Sequence, residues 1–355
     1  MKRARAILVI AGFAALGGSI AWGLLGDVAA SRDQALLDAI QDAEDAVPFA
    51  GVRTIATDHP DGAVTTVLRV RGRGGERHIE FVEARLPGGE IRRPGDKPKR
   101  GEMGPFGWMG RIRGIASGRV HGGQMARFRQ SGAILQNYRL VRTGREPVAG
   151  RDCDRLELRP RSANRASYRL WADVENRFLL RFQVIGAQGG AVFDMSHDTI
   201  AFHPTFVPDD FAAPVDVKPA PAPFRIEREA LSLEALRGLN YRAWLPAKPP
   251  AGFQLRAIER LRARGLFEGI SAWYSDGMAS VMIVQFRADN PIWVQLKPML
   301  PGFGEGNGGG LVARRIAHAG GTLMNITLEG TEVFVAGQIV GDEMEQLVKS
   351  LKAAN

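Results

Sequence analysis

Three short runs between Val148 and Ile185, in the segment VAGRDCDRLELRPRSANRASYRLWADVENRFLLRFQVI, alternate apolar and polar side chains at every second position. In the first, Leu156, Leu158 and Pro160 oppose Arg155, Glu157, Arg159 and Arg161. In the second, Tyr168, Leu170 and Ala172 oppose Ser167, Arg169, Trp171 and Asp173. In the third, Phe178, Leu180, Phe182 and Val184 oppose Arg181 and Gln183. A period of two is the mark of a strand with one packed and one wet face. A parallel sheet buries both faces and loses that alternation, so these strands must pair antiparallel, as an open sheet or partial barrel. Asp173, Glu175 and Asn176 supply the turn chemistry of a tight hairpin between the second and third strands.

The remainder of the first half fits around this meander. Ser31 with Gln34 makes a capping-box pattern, and Leu36, Ile40, Ala43 and Val47 recur at helical spacing, predicting an amphipathic helix that Pro48 ends. Strands are predicted at Ala50 to Thr57, Val64 to Arg71 and Arg77 to Glu83, with Asp58-His59-Pro60-Asp61-Gly62 as the first turn. From Pro87 to Gly132, Gly, Pro and Arg interrupt short apolar pieces such as Phe106-Gly107-Trp108-Met109, which reads as a long loop. Order returns in a strand from Leu135 to Arg142, and Val192 to Met195 and Thr199 to Phe202 close the series.

Residues 212–224, AAPVDVKPAPAPF, favour extended polyproline geometry and form a linker whose side chains bury little area. At 355 residues the chain exceeds what a single core usually organises, which agrees with two domains. The domains are set at 31–211 and 225–355, with residues 1–30 as an export segment. The second domain is predicted to hold strands at Tyr241 to Leu245, Phe253 to Leu261, Gly269 to Tyr274, Val281 to Arg287, Val312 to Ala317, Leu323 to Leu328 and Glu332 to Gly337. A helix from Asp342 to Lys352, with Met344, Leu347, Val348 and Leu351 on one face, then lies across them. The fold class is α+β throughout.

The amino terminus assigns the compartment. Lys2, Arg3 and Arg5 precede an uncharged apolar run from Ala6 to Gly26, long enough to cross a hydrocarbon core of about 30 Å. The basic flank stays inside, placing everything after Asp27 outside the cytoplasm. A retained anchor and a cleaved signal peptide both fit, since Val28-Ala29-Ala30 offers a small-residue cleavage site. Cys153, the single cysteine, has no intramolecular partner and reads as a small strand residue.

The sequence offers no catalytic constellation, and an enzyme is not expected. There is no Gly-x-Ser-x-Gly elbow, no Cys–His pair, and no pair of carboxylates in an apolar setting. The glycine run from Gly302 to Gly310 lacks the Lys-Ser/Thr continuation of a phosphate cradle. His197 and His203 with Asp194 and Asp198 match no metal-ligand spacing. No cofactor is implied. A net charge of +9, carried by Arg scattered along strands, favours acidic partners or anionic surfaces, but without a basic arm or nucleic-acid motif it does not suggest nucleic acid.

The run Val148-Ala149-Gly150-Arg151, then Leu156 and Leu158 before Pro160, then Tyr168-Arg169-Leu170-Trp171-Ala172-Asp173 and an apolar strand, resembles the N-terminal domain of the MucB/RseB family. Pro48-Phe49-Ala50-Gly51 and Glu90-Ile91-Arg92 are similar to weaker motifs of that family. Trp244-Leu245-Pro246 and Gly252-Phe253 are similar to its second domain, so the resemblance spans roughly Leu36 to Leu351. Where the family tends to have Arg-Tyr before the Leu-Trp strand, this chain has Arg165-Ala166.

The resemblance implies a LolA/LolB-like antiparallel half-barrel wrapped on the helix, joined to a smaller C-terminal α+β domain. It implies a periplasmic regulator of a sigma-E-type pathway that binds the extracytoplasmic part of a membrane-bound anti-sigma factor and senses lipid or lipoprotein acyl chains. A lipid or lipoprotein carrier, or an envelope protein-binding module without a lipid input, are the alternatives. Gly150, Arg151, Leu170, Trp171 and Asp173 are the family-motif positions, and Leu170, Phe178, Leu180, Phe182, Val184 and Trp108 are the candidates to line a lipid cavity.

Limited proteolysis should cut first within residues 212–224. First cuts inside Val148 to Ile185 would show that the cores are misplaced.

Overall fold

A computed structural model of the chain describes residues 31–58, 62–93, 96, 131–211, 226–263, 267–296, 312–315, 321–339 and 341–354. Residues 31–46 are helical (α1). The first domain then continues through β1 (Phe49–Thr57), β2 (Val64–Arg73), β3 (Glu76–Arg85), β4 (Ile91–Arg92), α2 (Ser131–Asn137), β5 (Tyr138–Val148), β6 (Arg151–Pro160), β7 (Ser167–Asp173), β8 (Leu179–Ile185) and β9 (Ala191–Phe202). These strands make one nine-stranded sheet in the order β4-β3-β2-β1-β9-β8-β7-β6-β5. Each neighbouring pair is antiparallel, as the alternation requires.

One face of that sheet carries the core. Leu37 and Ile40 of α1 are fully buried in one cluster with Phe49, Ile55, Leu68, Leu156, Leu158, Tyr168, Leu170 and Phe182. Each fully buried aliphatic side chain contributes about 1.5–3 kcal/mol, so this one face of α1 suffices to hold the helix on the sheet. Arg77 of β3 fixes its end, bonding Glu44 at 2.8 Å and Asp45 at 3.2 Å.

The second domain contains β10 (Ile226–Ala230), β11 (Trp244–Pro246), β12 (Gln254–Ala263), β13 (Phe267–Ser275), β14 (Ser280–Arg287), α3 (Pro291–Leu296), β15 (Val312–Arg315), β16 (Thr322–Leu328), β17 (Thr331–Gly337), α4 (Asp342–Lys349) and β18 (Leu351–Ala353). Its main sheet runs β10-β12-β13-β14-β17-β16-β15, and β11 pairs with β18 in a separate ribbon. Met344, Leu347 and Val348 of α4 are buried in the same core as Ile270, Ile283, Val333 and Val335.

Several boundaries differ from the sequence expectation, among them the strand expected at Tyr241 to Leu245, which is only Trp244–Pro246 and pairs outside the main sheet, and three of the differences have a local reason. The strand expected from Leu135 begins at Tyr138, because residues 131–137 are helical and Asn137 closes that turn by donating to the Ala133 carbonyl at 3.0 Å. The two expected closing strands are one, β9, which absorbs Asp198 as an extra residue where its register against Val52 and Arg53 shifts. The final helix stops at Lys349, where Ser350 donates its hydroxyl to the Leu347 carbonyl and the chain turns into β18. The apolar run Ala6 to Gly26, the linker and the glycine run lie outside the described residues.

Deep in the first core lies a polar pair. Arg53 of β1 is buried and directs its Nε and Nη2 at His197 Nε2, 3.3 and 3.2 Å away. The other ring nitrogen, Nδ1, is 3.1 Å from the Leu180 carbonyl. A carbonyl only accepts, so Nδ1 carries the proton, and Nε2 is left as the acceptor for the guanidinium. Burial, then the adjacent Arg53 charge, push the His197 pKa well below its ordinary value. His197 is therefore neutral in the folded protein and becomes charged in the unfolded chain once pH falls below about 6.5. Its stability contribution is complete above that pH and is lost as pH falls, at up to about 1.4 kcal/mol per pH unit. Thermal melts between pH 7.5 and 5 should show the midpoint falling on acidification, with a flatter profile for His197→Gln. An unchanged slope in His197→Gln would remove this pair as the cause.

Candidate functional site

Three of the family-motif positions, Gly150, Arg151 and Asp173, converge on one end of the first sheet, where they shape its turns. Ala149 and Gly150 both have positive φ, 50° and 75°, the geometry of a type I′ hairpin turn between β5 and β6. Arg151 leaves that turn and donates from Nε to Asp173 Oδ2 at 2.8 Å, tying the β5–β6 hairpin to the end of β7. Asp173 also accepts the amides of Glu175 and Asn176 at 2.9 and 3.0 Å, closing the turn into β8. Burial alone would raise the Asp173 pKa, but the Arg151 bond and the two amides outweigh it and hold the carboxyl below its ordinary value. Trp171 is also buried. Its indole donates to Glu146 at 3.0 Å, and the guanidinium carbons of Arg181 and Arg155 stand 4.8 and 5.6 Å from its ring.

The residues proposed to line a lipid cavity divide in two. Leu170, Phe178, Leu180, Phe182 and Val184 are all buried and belong to the continuous first core. Phe182 lies between Tyr168 and Phe193, with ring centroids 5.9 and 6.2 Å away, and Phe178 lies 4.6 Å from Phe49. Trp108 lies outside the described residues. A hollow of about 270 Å³ instead opens in the second domain, among Tyr241, Glu268, Arg287 and Asp289, and its charged lining does not suit an acyl chain. Apolar exposure is found at Ile79, Phe81 and Ile91 on β3 and β4, at one margin of the nine-stranded sheet. Cys153 is fully buried, and burial pushes its thiol up to about 12, which leaves it unreactive.

A buried polar constellation lies where the two domains meet. The β13–β14 turn, Asp276-Gly277-Met278, enters the first domain, and Met278 is part of the first core. Gly277 is required there. Its φ is +106°, and a Cβ would lie 2.8 Å from the Ile134 nitrogen of α2. Asp276 accepts the Met278 and Ala279 amides through Oδ1, at 2.9 and 2.7 Å. Its Oδ2 accepts Arg165 Nη1 at 2.7 Å and the Tyr138 hydroxyl at 2.9 Å.

Arg165 continues outward to Glu343 at the start of α4, with Nη2 2.6 Å from Oε1 and Nε 3.1 Å from Oε2. It also donates to the Ala251 carbonyl at 3.1 Å, and its guanidinium lies 4.5 Å from the Phe253 ring centre. Asn137 completes the seam by donating to the Asp276 carbonyl at 2.8 Å. The side chains of Arg165 and Asp276 are 2% and 1% exposed, so the charges are solvated almost wholly by each other and by these neighbours.

Sequence reasoning identified Arg165 only as the point where the chain departs from the family pattern, and missed Tyr138, Asp276 and Glu343 as a group. The Asp-Gly pair at 276–277 was the legible signal, since it marks a hairpin turn between alternating runs. What lies opposite that turn, more than a hundred residues away, has no local signature. Asp194, His197, Asp198 and His203, close in sequence, are engaged separately. Asp194 pairs with Arg181 and Gln183, His197 with Arg53, and Asp198 with Thr54. His203 has a positive φ at the end of β9, where its amide donates to the Pro48 carbonyl. Among the described residues no three His, Cys, Asp or Glu side chains come together as ligands.

Residues 116–211 match the MucB/RseB N-terminal domain family. Among solved structures, the complex of MucA and MucB from Pseudomonas aeruginosa aligns with a TM-score of 0.56 at 14% identity, covering 91% of this chain and 99% of that one. A structure of MucB in complex with MucA(peri) aligns with a TM-score of 0.56 at 15% identity, covering 90% and 98%. No curated protein matches the sequence. Residues 116–211 are thus similar to the MucB/RseB N-terminal domain, and the chain shares the fold of MucB along nearly its whole length.

Proposed function

We propose that this protein is a periplasmic regulator of a sigma-factor pathway that binds the extracytoplasmic part of a membrane-bound anti-sigma factor. The observation that carries the reading is the length of the structural match. It runs through both domains, and the matched MucB chains were solved with MucA bound, so the likeness extends to the whole body of a partner-binding protein. The basic flank and apolar run at residues 1–26 agree with export.

Within this reading the first domain is a half-barrel of the LolA/LolB kind, with α1 against its inner face, and acyl chains are its input. The exposed Ile79, Phe81 and Ile91 beside the buried Leu68 and Val70 supply an apolar margin from which such a chain could enter. Bound lipid lowers partner affinity only if it favours a conformation that holds the partner less well. The carrier reading uses the same inner face as cargo space.

Two measurements on the purified protein separate these readings. Regulator function predicts stoichiometric capture of the extracytoplasmic fragment of an anti-sigma factor encoded nearby, weakened when lipid vesicles are added. No capture together with extraction of lipid from vesicles would favour the carrier. Phe182→Ala gives the stability side. Deleting a packed Phe costs about 3–5 kcal/mol, so a sharply lowered melting point, with no lipid bound by the unaltered protein, would leave a protein-binding module without a lipid input.

A further inference from the structure

We propose that the buried contact of Arg165 with Asp276 is a two-state latch between the domains, and that an aromatic row inside the first domain controls whether it is shut. The proposal concerns how the domains are held, and does not depend on which partner binds.

The chemistry of the contact makes it all-or-none. Four of the five N–H groups of Arg165 are used, three by carboxylates of the second domain and one by the Ala251 carbonyl. Asp276 in turn accepts four bonds, two from its own turn and two from the first domain. Removing one partner while the other stays buried leaves an uncompensated charge in a nearly dry seam, which is the costliest arrangement available. Intermediate geometries are therefore depopulated. Either all the bonds form with the domains docked, or both charges are hydrated with the domains apart. A contact with two such discrete arrangements is the element that a conformational switch requires.

The first domain reaches this contact through the Tyr138 hydroxyl. Behind it the rings of Tyr138, Tyr168, Phe182 and Phe193 follow one another at 5.6, 5.9 and 6.2 Å between centroids. The row begins in the middle of the sheet, on β9, and ends on β5 at the domain seam. Packed interiors do not compress, so a displacement of Phe182 has to be passed along the row or absorbed by breaking a contact. At the seam that contact is the hydrogen bond from Tyr138 to Asp276. Only a Tyr at position 138 serves both ends of this row, since Phe would pack equally well but could not bond Asp276.

The test uses the full chain in detergent, spin-labelled at Gln188→Cys in the β8–β9 turn and Gln346→Cys on α4, both exposed, with buried Cys153 left unlabelled. Pulsed electron–electron resonance should give one narrow interdomain distance for the otherwise unaltered protein. Arg165→Met should add a second, separate distance, and Arg165→Met with Asp276→Asn should populate that distance less than Arg165→Met alone, because Asp276→Asn then leaves no uncompensated charge in the seam. Tyr138→Phe, which keeps the ring and the fold, should populate that second distance to a smaller extent, and Phe182→Leu should do so without touching the seam. A single unchanged distance in both Arg165→Met and Tyr138→Phe, or a continuous broadening without a second peak, would overturn the latch. An unchanged distribution in Phe182→Leu would overturn its control by the row.

Discussion

A nine-stranded antiparallel sheet with a continuous apolar face cannot remain open to water, and most of the first domain follows from how that face is covered. At about 25 cal/mol per Å² of apolar area removed from water, leaving Tyr168, Leu170, Phe182 and their neighbours exposed would forfeit the stability of the domain. The helix at 31–46 covers one part, with Leu37 and Ile40 fully buried. The β13–β14 turn of the second domain covers another, with Met278 buried in the same cluster as Ile134 and Tyr138. The second domain is therefore not merely tethered by the segment 212–224. It contributes a side chain to the first core.

This arrangement sets the problem that Arg165 solves. A turn inserted into a neighbouring core brings backbone amides and a carboxylate with it, and each needs a partner once water is excluded. Asp276 satisfies its own turn and then accepts from Arg165 and Tyr138, while Asn137 takes the remaining carbonyl. The net worth of such a buried ion pair is small, because desolvation offsets most of the attraction. Its value lies in orientation, since no other relative placement of the domains meets all these bonds. Arg53 and His197 play a similar part inside the first core, where a neutral imidazole packed against Phe49 and Phe178 and bonded to the Leu180 carbonyl accepts from a buried guanidinium.

Strands with one wet face were readable from the sequence because their period of two is local. The β7 span from Ser167 to Asp173 and the hairpin at Asp173 to Asn176 fall where the alternation and turn residues put them. Fully buried features were harder. On β8, Leu179 is as buried as Leu180 and Gln183 is buried beside Phe182, so both faces are covered and the alternation understates the packing. Gly150, Arg151 and Asp173 stood out as motif residues. What they do, a turn and an ion pair between hairpin ends, needed the register of β6 against β7. Nothing in the sequence pointed from Arg165 to Asp276, because the pairing is set by domain docking rather than by any periodicity.

The central claim is that the two domains form one cooperative unit through this seam, and calorimetry tests it most directly. Chains of this size commonly unfold domain by domain. If the seam couples the cores as described, the protein should melt in one endotherm whose calorimetric and van't Hoff enthalpies agree, and Asp276→Asn should split it into two. Two well-separated endotherms in the unaltered protein, neither of which moves in Asp276→Asn, would contradict the account.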